Sequence, residues 1–177
     1  MNLNGYFQSE KYFMNCKDTI RNIFKLKSEY ENELRDKWKN ELKNSVSIHV
    51  RRTDYAQSES IGGIHICPTL NYFNSALKYI ESFYKIDNIL VFSDDIEWCK
   101  ENFKDSRCIF PDGDEVDDLF LMSFCEHNIT TNSTYSWWAS WLNKNENKIV
   151  TVPKRWFNRH PSFSADLYRG DMKIFEN

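Results

Sequence analysis

From Ser45 onward the apolar residues switch back and forth between two periods, and that alternation limits the fold more than any other feature of the chain. Ser45 to Val50 alternates, with Val46, Ile48 and Val50 on one face and Ser47 and His49 on the other, the pattern of a strand. Thr69 is placed to cap a helix whose buried stripe is Leu70, Phe73, Leu77, Ile80 and Tyr84. Asn88 to Ser93 is a short apolar strand, and Asp94 and Asp95 follow it at the start of another helix, where carboxylates are favoured. Cys108 to Phe110 reads as a third strand, Val116 to Cys125 as a helix, Asn128 to Thr131 as a short strand and Ser133 to Asn143 as a helix. Lys148 to Val152 is expected to be the last strand, stopped by Pro153. Strands separated by helices predict an α/β domain, a Rossmann-like parallel sheet with helices on both faces. In such sheets ligands bind beyond the carboxyl ends of the strands.

Ahead of this region the period is helical. Phe13, Cys16, Ile20, Ile23, Phe24, Leu34 and Trp38 recur near helical spacing, and one long helix or two shorter ones fit. Residues 1–44 are therefore expected to form a helical segment, and residues 45–177 the ligand-binding domain. A content of 41% hydrophobic and 16% aromatic residues supplies a real core and argues against disorder. The net charge of -3 excludes broad attraction to nucleic acid or membrane, so any anion site must be a local cluster. Five scattered cysteines without a C-x-x-C pair fit reduced thiols in a cytoplasmic protein better than a disulfide framework or zinc site. The longest apolar stretch, around Leu119 to Phe124, is far too short to span a bilayer, and Met1 opens no signal peptide. Peripheral attachment at a membrane stays compatible with these features. The sequons at Asn128 and Asn132 fall in an expected strand and turn and are discounted.

The polar residues at the expected strand ends are the candidate site. His49-Val50-Arg51-Arg52-Thr53-Asp54 follows the first strand. Neighbouring arginines there point to different sides, so one can grip an anion while the other packs or pairs with Asp54. The planar guanidinium suits a diphosphate through bidentate, charge-assisted hydrogen bonds. A surface arginine pair bridged to Asp54 is the competing reading. Ser93, Asp94 and Asp95 follow the second strand, where plain helix capping is by far the better reading of these residues taken alone. Thr131-Asn132-Ser133-Thr134 opens a helix, and its free backbone N–H groups are either a phosphate cradle or an ordinary cap.

Asp112-Gly113-Asp114 has the D-x-D form that holds divalent metal in other sugar transferases, but acidic turns before helices are common. The four histidines show no ligand spacing, so no metal is expected. The spacing of Trp137, Trp138 and Trp141 favours core packing over a sugar-stacking platform. Binding of nucleic acid through Arg51, Arg52, Lys154, Arg155 and Arg159 is disfavoured by the acidic balance and the lack of a reader motif.

Three segments in order, HVRRTDY at 49–55, FSDDIEWCKENF at 92–103 and DDLFLMSFCEHNITTNSTYSWWASWLN at 117–143, resemble the successive motifs of glycosyltransferase family 11, the α-1,2-fucosyltransferases. GYFQSEKYF at 5–13 is similar to a stretch that precedes them in bacterial members. The resemblance implies a GT-B-like fold with this chain as its C-terminal donor domain. It implies GDP-fucose as donor, a galactoside-containing glycan as acceptor, inversion at the anomeric carbon and no metal. Arg51 and Arg52 would then grip the diphosphate, His49 would help hold the donor and Asp118 would read the guanine N1 and N2 hydrogens. Ser133 and Thr134, with Asn132 beside them, would meet phosphate or fucose, and Ser93, Asp94 and Asp95 would shape the crevice. Asp54 or Glu59 would serve as general base; Glu59 matches the offset at which the more distant α-1,6-fucosyltransferases place a catalytic Glu, although the loop around it departs from them.

Family members normally begin with an N-terminal domain bearing a Gly-rich G-N-Q-type segment, which is not seen here. The expectation is accordingly a donor half whose acceptor-binding domain is missing or separate. Alone, it would bind GDP weakly and transfer fucose poorly or not at all, the alternative being a non-catalytic GDP-binding fragment.

Overall fold

The computed structural model describes residues 8–60, 63–158 and 165–177, with the side chains of 58–60 outside that description. Its centre is a sheet of six parallel strands, β1 (Ser45–Val50), β2 (Asn88–Ser93), β3 (Cys108–Ile109), β4 (His127–Ile129), β5 (Val150–Pro153) and β6 (Met172–Phe175), in the order β3-β2-β1-β4-β5-β6. The order reverses between β1 and β4. There the connections leave in opposite directions and open a crevice at the carboxyl ends.

Burial follows the alternation. Val46, Ile48 and Val50 face a core completed by Tyr72, Phe73, Ala76 and Ile80 of α4 (Leu70–Glu81) and Cys99 of α5 (Ile96–Asn102). On the other face Leu90 and Phe92 of β2 meet Leu121 and Met122 of α6 (Glu115–Phe124) and Ala139 of α7 (Thr134–Leu142). Trp137 and Trp141 pack with Val150, Val152, Trp156 and Leu167, the core role their spacing predicts. Strands covered on both faces must be apolar throughout or pair their polar groups. Asn128 does the latter, donating to Ser47 Oγ and to the Met122 carbonyl at 2.8 Å each and accepting from Asn143.

The N-terminal segment is two short helices, α1 (Lys17–Ile23) and α2 (Ser28–Lys37), after single 3-10 turns. Of the two arrangements compatible with the periodicity, the broken one forms. Phe13 and Phe24 stack on Trp138 with centroids at 5.4 and 5.0 Å, attaching this segment to the domain.

Four expectations change. Lys148 to Val152 is not the last strand: β6 pairs beyond it, with Val150 opposite Met172 and Pro153 opposite Phe175. Pro153 is the last residue of β5 rather than a stop before it. Thr53–Ser60 is a helix, α3, where a loop was expected. Thr69 holds the cap position of α4, but its side chain makes no capping bond.

Candidate functional site

The carboxyl ends of β1, β2 and β4 surround a cleft of about 300 Å³. His49, Arg51, Ser93 and Asp94 line one side, Asp118 and Ser133 the other, and Phe92, Glu115 and Tyr135 complete it. The switch in strand order thus collects motifs separated by more than eighty residues.

Asp94 organises the β1 side. Its carboxylate accepts from the backbone N–H of Arg52 at 2.9 Å and of Thr53 at 3.1 Å, and from the Thr53 hydroxyl, so a residue from β2's end caps α3. Burial opposes ionisation of Asp94, but these hydrogen bonds and the Arg51 charge outweigh it and hold the group below its usual range. Arg51 Nε donates to Asp54 at 2.9 Å and stands 3.4 Å from Asp94. Arg51 is thereby braced by two carboxylates while it lines the cleft.

Arg52 turns the other way. Its guanidinium lies 4.0 Å from the centroid of the Trp98 ring, and Nε is 3.4 Å from Asp95. Asp95 also caps α5 through Trp98 N–H at 3.3 Å, and Ser93 Oγ accepts from Asp95 N–H at 2.9 Å. Two adjacent arginines do point apart, but it is the first that faces the cleft, while Arg52 and Asp95 form a packing unit behind it.

His49 is 6% exposed, with Nδ1 3.1 Å from Thr131 Oγ1 and its ring 5.4 Å from that of Tyr135. Burial, opposed by the Asp94 charge, drives its pKa down to about 4. The imidazole is therefore neutral near pH 7 and serves as a polar wall, not a cation.

Asp118 is the most perturbed carboxyl group among the described residues. It projects from α6 into the cleft, and its Oδ1 is buried without a hydrogen-bond partner among the described residues. Burial, reinforced by Asp117, Asp114 and Asp112, raises its pKa to about 7. A Cβ at Gly113 would come 3.1 Å from Asp118 Oδ1 and 3.0 Å from Asp117 Cβ, so glycine there leaves room for this carboxylate. A buried acceptor with nothing to accept from marks a ligand position.

Other expected residues are placed elsewhere. Asn132 is buried as a tether, donating to the carbonyls of Ile66 at 3.0 Å and Trp156 at 2.8 Å, while its own carbonyl accepts from Tyr55 OH at 3.1 Å. Thr134 lines a separate cleft with Phe13, Trp137 and Trp138. Only Ser133 of that turn reaches the first cleft, 7% exposed and making no side-chain cap bond. Asp54 is held by Arg51, the side chain of Glu59 lies outside the described residues, and so does Arg159. Asp114 accepts from Val116 N–H and Asp117 N–H at 2.9 Å each, so it caps α6. Among the described residues no three His, Cys, Asp or Glu side chains gather as a metal site.

The sequence reading missed Glu115 and Tyr135. Tyr135 directly follows the polar turn at residues 131–134, and its hydroxyl donates to the Glu115 carbonyl.

The family model for glycosyl transferase family 11 matches residues 2–170. The chain belongs to that family. This family 11 chain is 35% identical over 167 residues to the O-antigen biosynthesis glycosyltransferase WbnK of Escherichia coli, covering 86% of this chain and 54% of that one. It is 35% identical over 174 residues to an α-1,2-colitosyltransferase of Escherichia coli, covering 92% and 58%. Over 156 residues it is 28% identical to galactoside α-(1,2)-fucosyltransferase 1 of Bos taurus, covering 80% and 43%. The family 11 chain thus spans about half the length of the curated relatives it matches. No described helix is long and apolar enough to cross a membrane.

Proposed function

We propose that this chain carries the donor-nucleotide half of an enzyme that transfers L-fucose from GDP-fucose, with inversion and without metal, to the 2-hydroxyl of a β-galactoside. One observation carries the reading: a single cleft at the switch point holds a braced guanidinium, Arg51, and a half-buried carboxylate, Asp118, whose Oδ1 has no hydrogen-bond partner among the described residues. Guanine offers two adjacent N–H donors that match a carboxylate, and a diphosphate matches the arginine fork.

In the reaction the acceptor oxygen attacks the anomeric carbon while the bond from that carbon to the β-phosphate oxygen breaks. The electron pair leaves with GDP. Arg51 lines the cleft in which that charge would grow and is held there by Asp54 and Asp94. The hydroxyl proton passes to a general base, for which Asp54 and Glu59 are the candidates. Asp54 serves only if Arg51 releases it for the incoming diphosphate. Neutral His49 and Ser133 line the same cleft and offer uncharged hydrogen-bonding groups to phosphate or sugar.

Calorimetric titration with GDP, ADP and UDP, with and without EDTA, tests this. The expected result is a preference for GDP that survives EDTA and is lost in Arg51→Ala and Asp118→Asn. A folded chain that ignores GDP at millimolar concentration would sink the reading. Turnover with GDP-fucose and a galactoside then separates a catalytic chain from one that only binds GDP. The similarity to a protein named as a colitosyltransferase favours a second donor. Colitose is fucose without its 3-hydroxyl, and competition between the two GDP-sugars distinguishes them.

A further inference from the structure

A second charged cleft lies at the opposite edge of the sheet. It is lined by Lys17 and Arg21 of α1, Lys148 in the turn before β5, and Arg169 just before β6. These positions are at the amino ends of β5 and β6, whereas the nucleotide cleft lies at carboxyl ends. The cleft holds about 310 Å³.

Its charges do not balance. Glu10 and Asp171 are the carboxylates in its wall. Glu10 is engaged by Lys17 at 3.1 Å and by the indole N–H of Trp141 at 3.2 Å. Asp171 is engaged by Arg169 Nε at 3.0 Å. Arg169 is further fixed by the Trp137 carbonyl and Ser140 Oγ, with its side chain only 3% exposed. That leaves two cations without a carboxylate partner among the described residues. Arg21 rests over the Trp141 ring at 4.9 Å, and Lys148 Nζ donates to the Asn143 carbonyl at 2.9 Å. Burial lowers the pKa of Lys148, and the Arg169 and Arg21 charges push the same way against Asp171. Like charges gathered into one concave, partly desolvated site, in a chain whose net charge is -3, are relieved by a bound anion. The exposed Arg21 guanidinium and the Lys148 ammonium on one opening offer several N–H donors to the acceptor oxygens of a phosphate group.

We infer that this cleft is a phosphate-binding site, separate from the candidate nucleotide cleft, in which Arg21 and Lys148 supply the uncompensated charge. The same chemistry arises from a soluble phosphate ester or from a phospholipid headgroup.

Trp141 lines the cleft, so its indole N–H resonance reports on occupancy. The probe is inorganic pyrophosphate, titrated into the full chain, with the resonance assigned by its loss in Trp141→Phe. A saturable shift of that resonance is expected. It should weaken at least about tenfold, roughly 1.4 kcal/mol, in Arg21→Glu, while GDP titration of the same variant is unchanged. Arg21 is exposed, so this variant keeps the core intact. Lys148→Gln provides an independent second variant with the same expectation. In parallel the chain is floated with vesicles of phosphatidylcholine alone and of phosphatidylcholine with phosphatidylglycerol. Flotation only with the anionic vesicles, lost in Arg21→Glu, assigns the site to a lipid headgroup. A pyrophosphate shift without flotation assigns it to a soluble phosphate ester. An unmoved Trp141 resonance with no flotation overturns the proposal, as does binding that Arg21→Glu and Lys148→Gln leave intact.

Discussion

His49 Nδ1 and Thr131 Oγ1, 3.1 Å apart, join the end of β1 to the segment leaving β4 across the point where the strand order reverses. The contact fixes one wall of the candidate cleft, and burial keeps the imidazole uncharged. Burial places the folded-state pKa near 4, against an ordinary 6.5. Protonation therefore favours the unfolded chain. The contribution of His49 is fully present above pH 6.5, declines as pH falls, and is exhausted near pH 4, amounting to on the order of 3 kcal/mol. Urea unfolding across this range should show a steeper acid loss for the native chain than for His49→Gln. Parallel curves would mean that the ring is charged or solvated in the fold.

The two arginines make separable predictions. Arg51→Ala should weaken GDP binding by more than about tenfold, because a charge-assisted contact of roughly 1.5–3 kcal/mol is lost. Arg52→Ala should change GDP affinity little and instead lower stability by about 1 kcal/mol, through loss of the contact over Trp98. Calorimetry and thermal unfolding of both variants decide it. The reverse pattern would show that Arg52 swings into the cleft when nucleotide arrives.

That division shows what sequence could and could not supply. β1 and β2 were legible because alternation and an uninterrupted apolar run are what a doubly covered sheet requires. The position of the candidate cleft followed from topology. Direction did not, because neighbouring residues in a turn are equivalent in a sequence while the fold sends them apart. Ser133 faces the cleft, Asn132 is drawn inward to the carbonyls of Ile66 and Trp156, and Thr134 opens elsewhere. β6 was missed because an edge strand with Lys173 and the half-exposed Ile174 carries little apolar signal. α3 was missed because its start is set by Asp94, forty residues away, and not by its own sequence.

Asn132 should behave as a structural residue. Its amide satisfies two loop carbonyls in a position 1% exposed. Asn132→Ala leaves both without their donor, at a cost of about 2–3 kcal/mol. Denaturant unfolding should register that loss, with GDP affinity falling only as far as the fraction folded does. Full stability combined with lost nucleotide binding would return Asn132 to the cleft.

Asp118 should trade stability for binding, and pH exposes the trade. With its folded-state pKa raised to about 7, the carboxylate is ionised and unpartnered above that value and becomes neutral as pH falls below it. The raised value means that the charged form destabilises the empty fold, and protonation relieves it. Asp118→Asn should therefore raise the melting temperature at pH 8, by roughly 2–4 °C if about 1 kcal/mol is recovered in a domain of this size, and the gain should shrink as pH falls below about 7 and vanish only below the ordinary carboxyl value of 3.8. Nucleotide binding should run the other way. Guanine needs the ionised acceptor, so native affinity for GDP should drop about tenfold from pH 8 to pH 6, following the ionised fraction. The Asn variant should bind weakly with no such step. Affinity independent of pH in the native chain, with stability unaltered in the variant, would place the guanine away from Asp118.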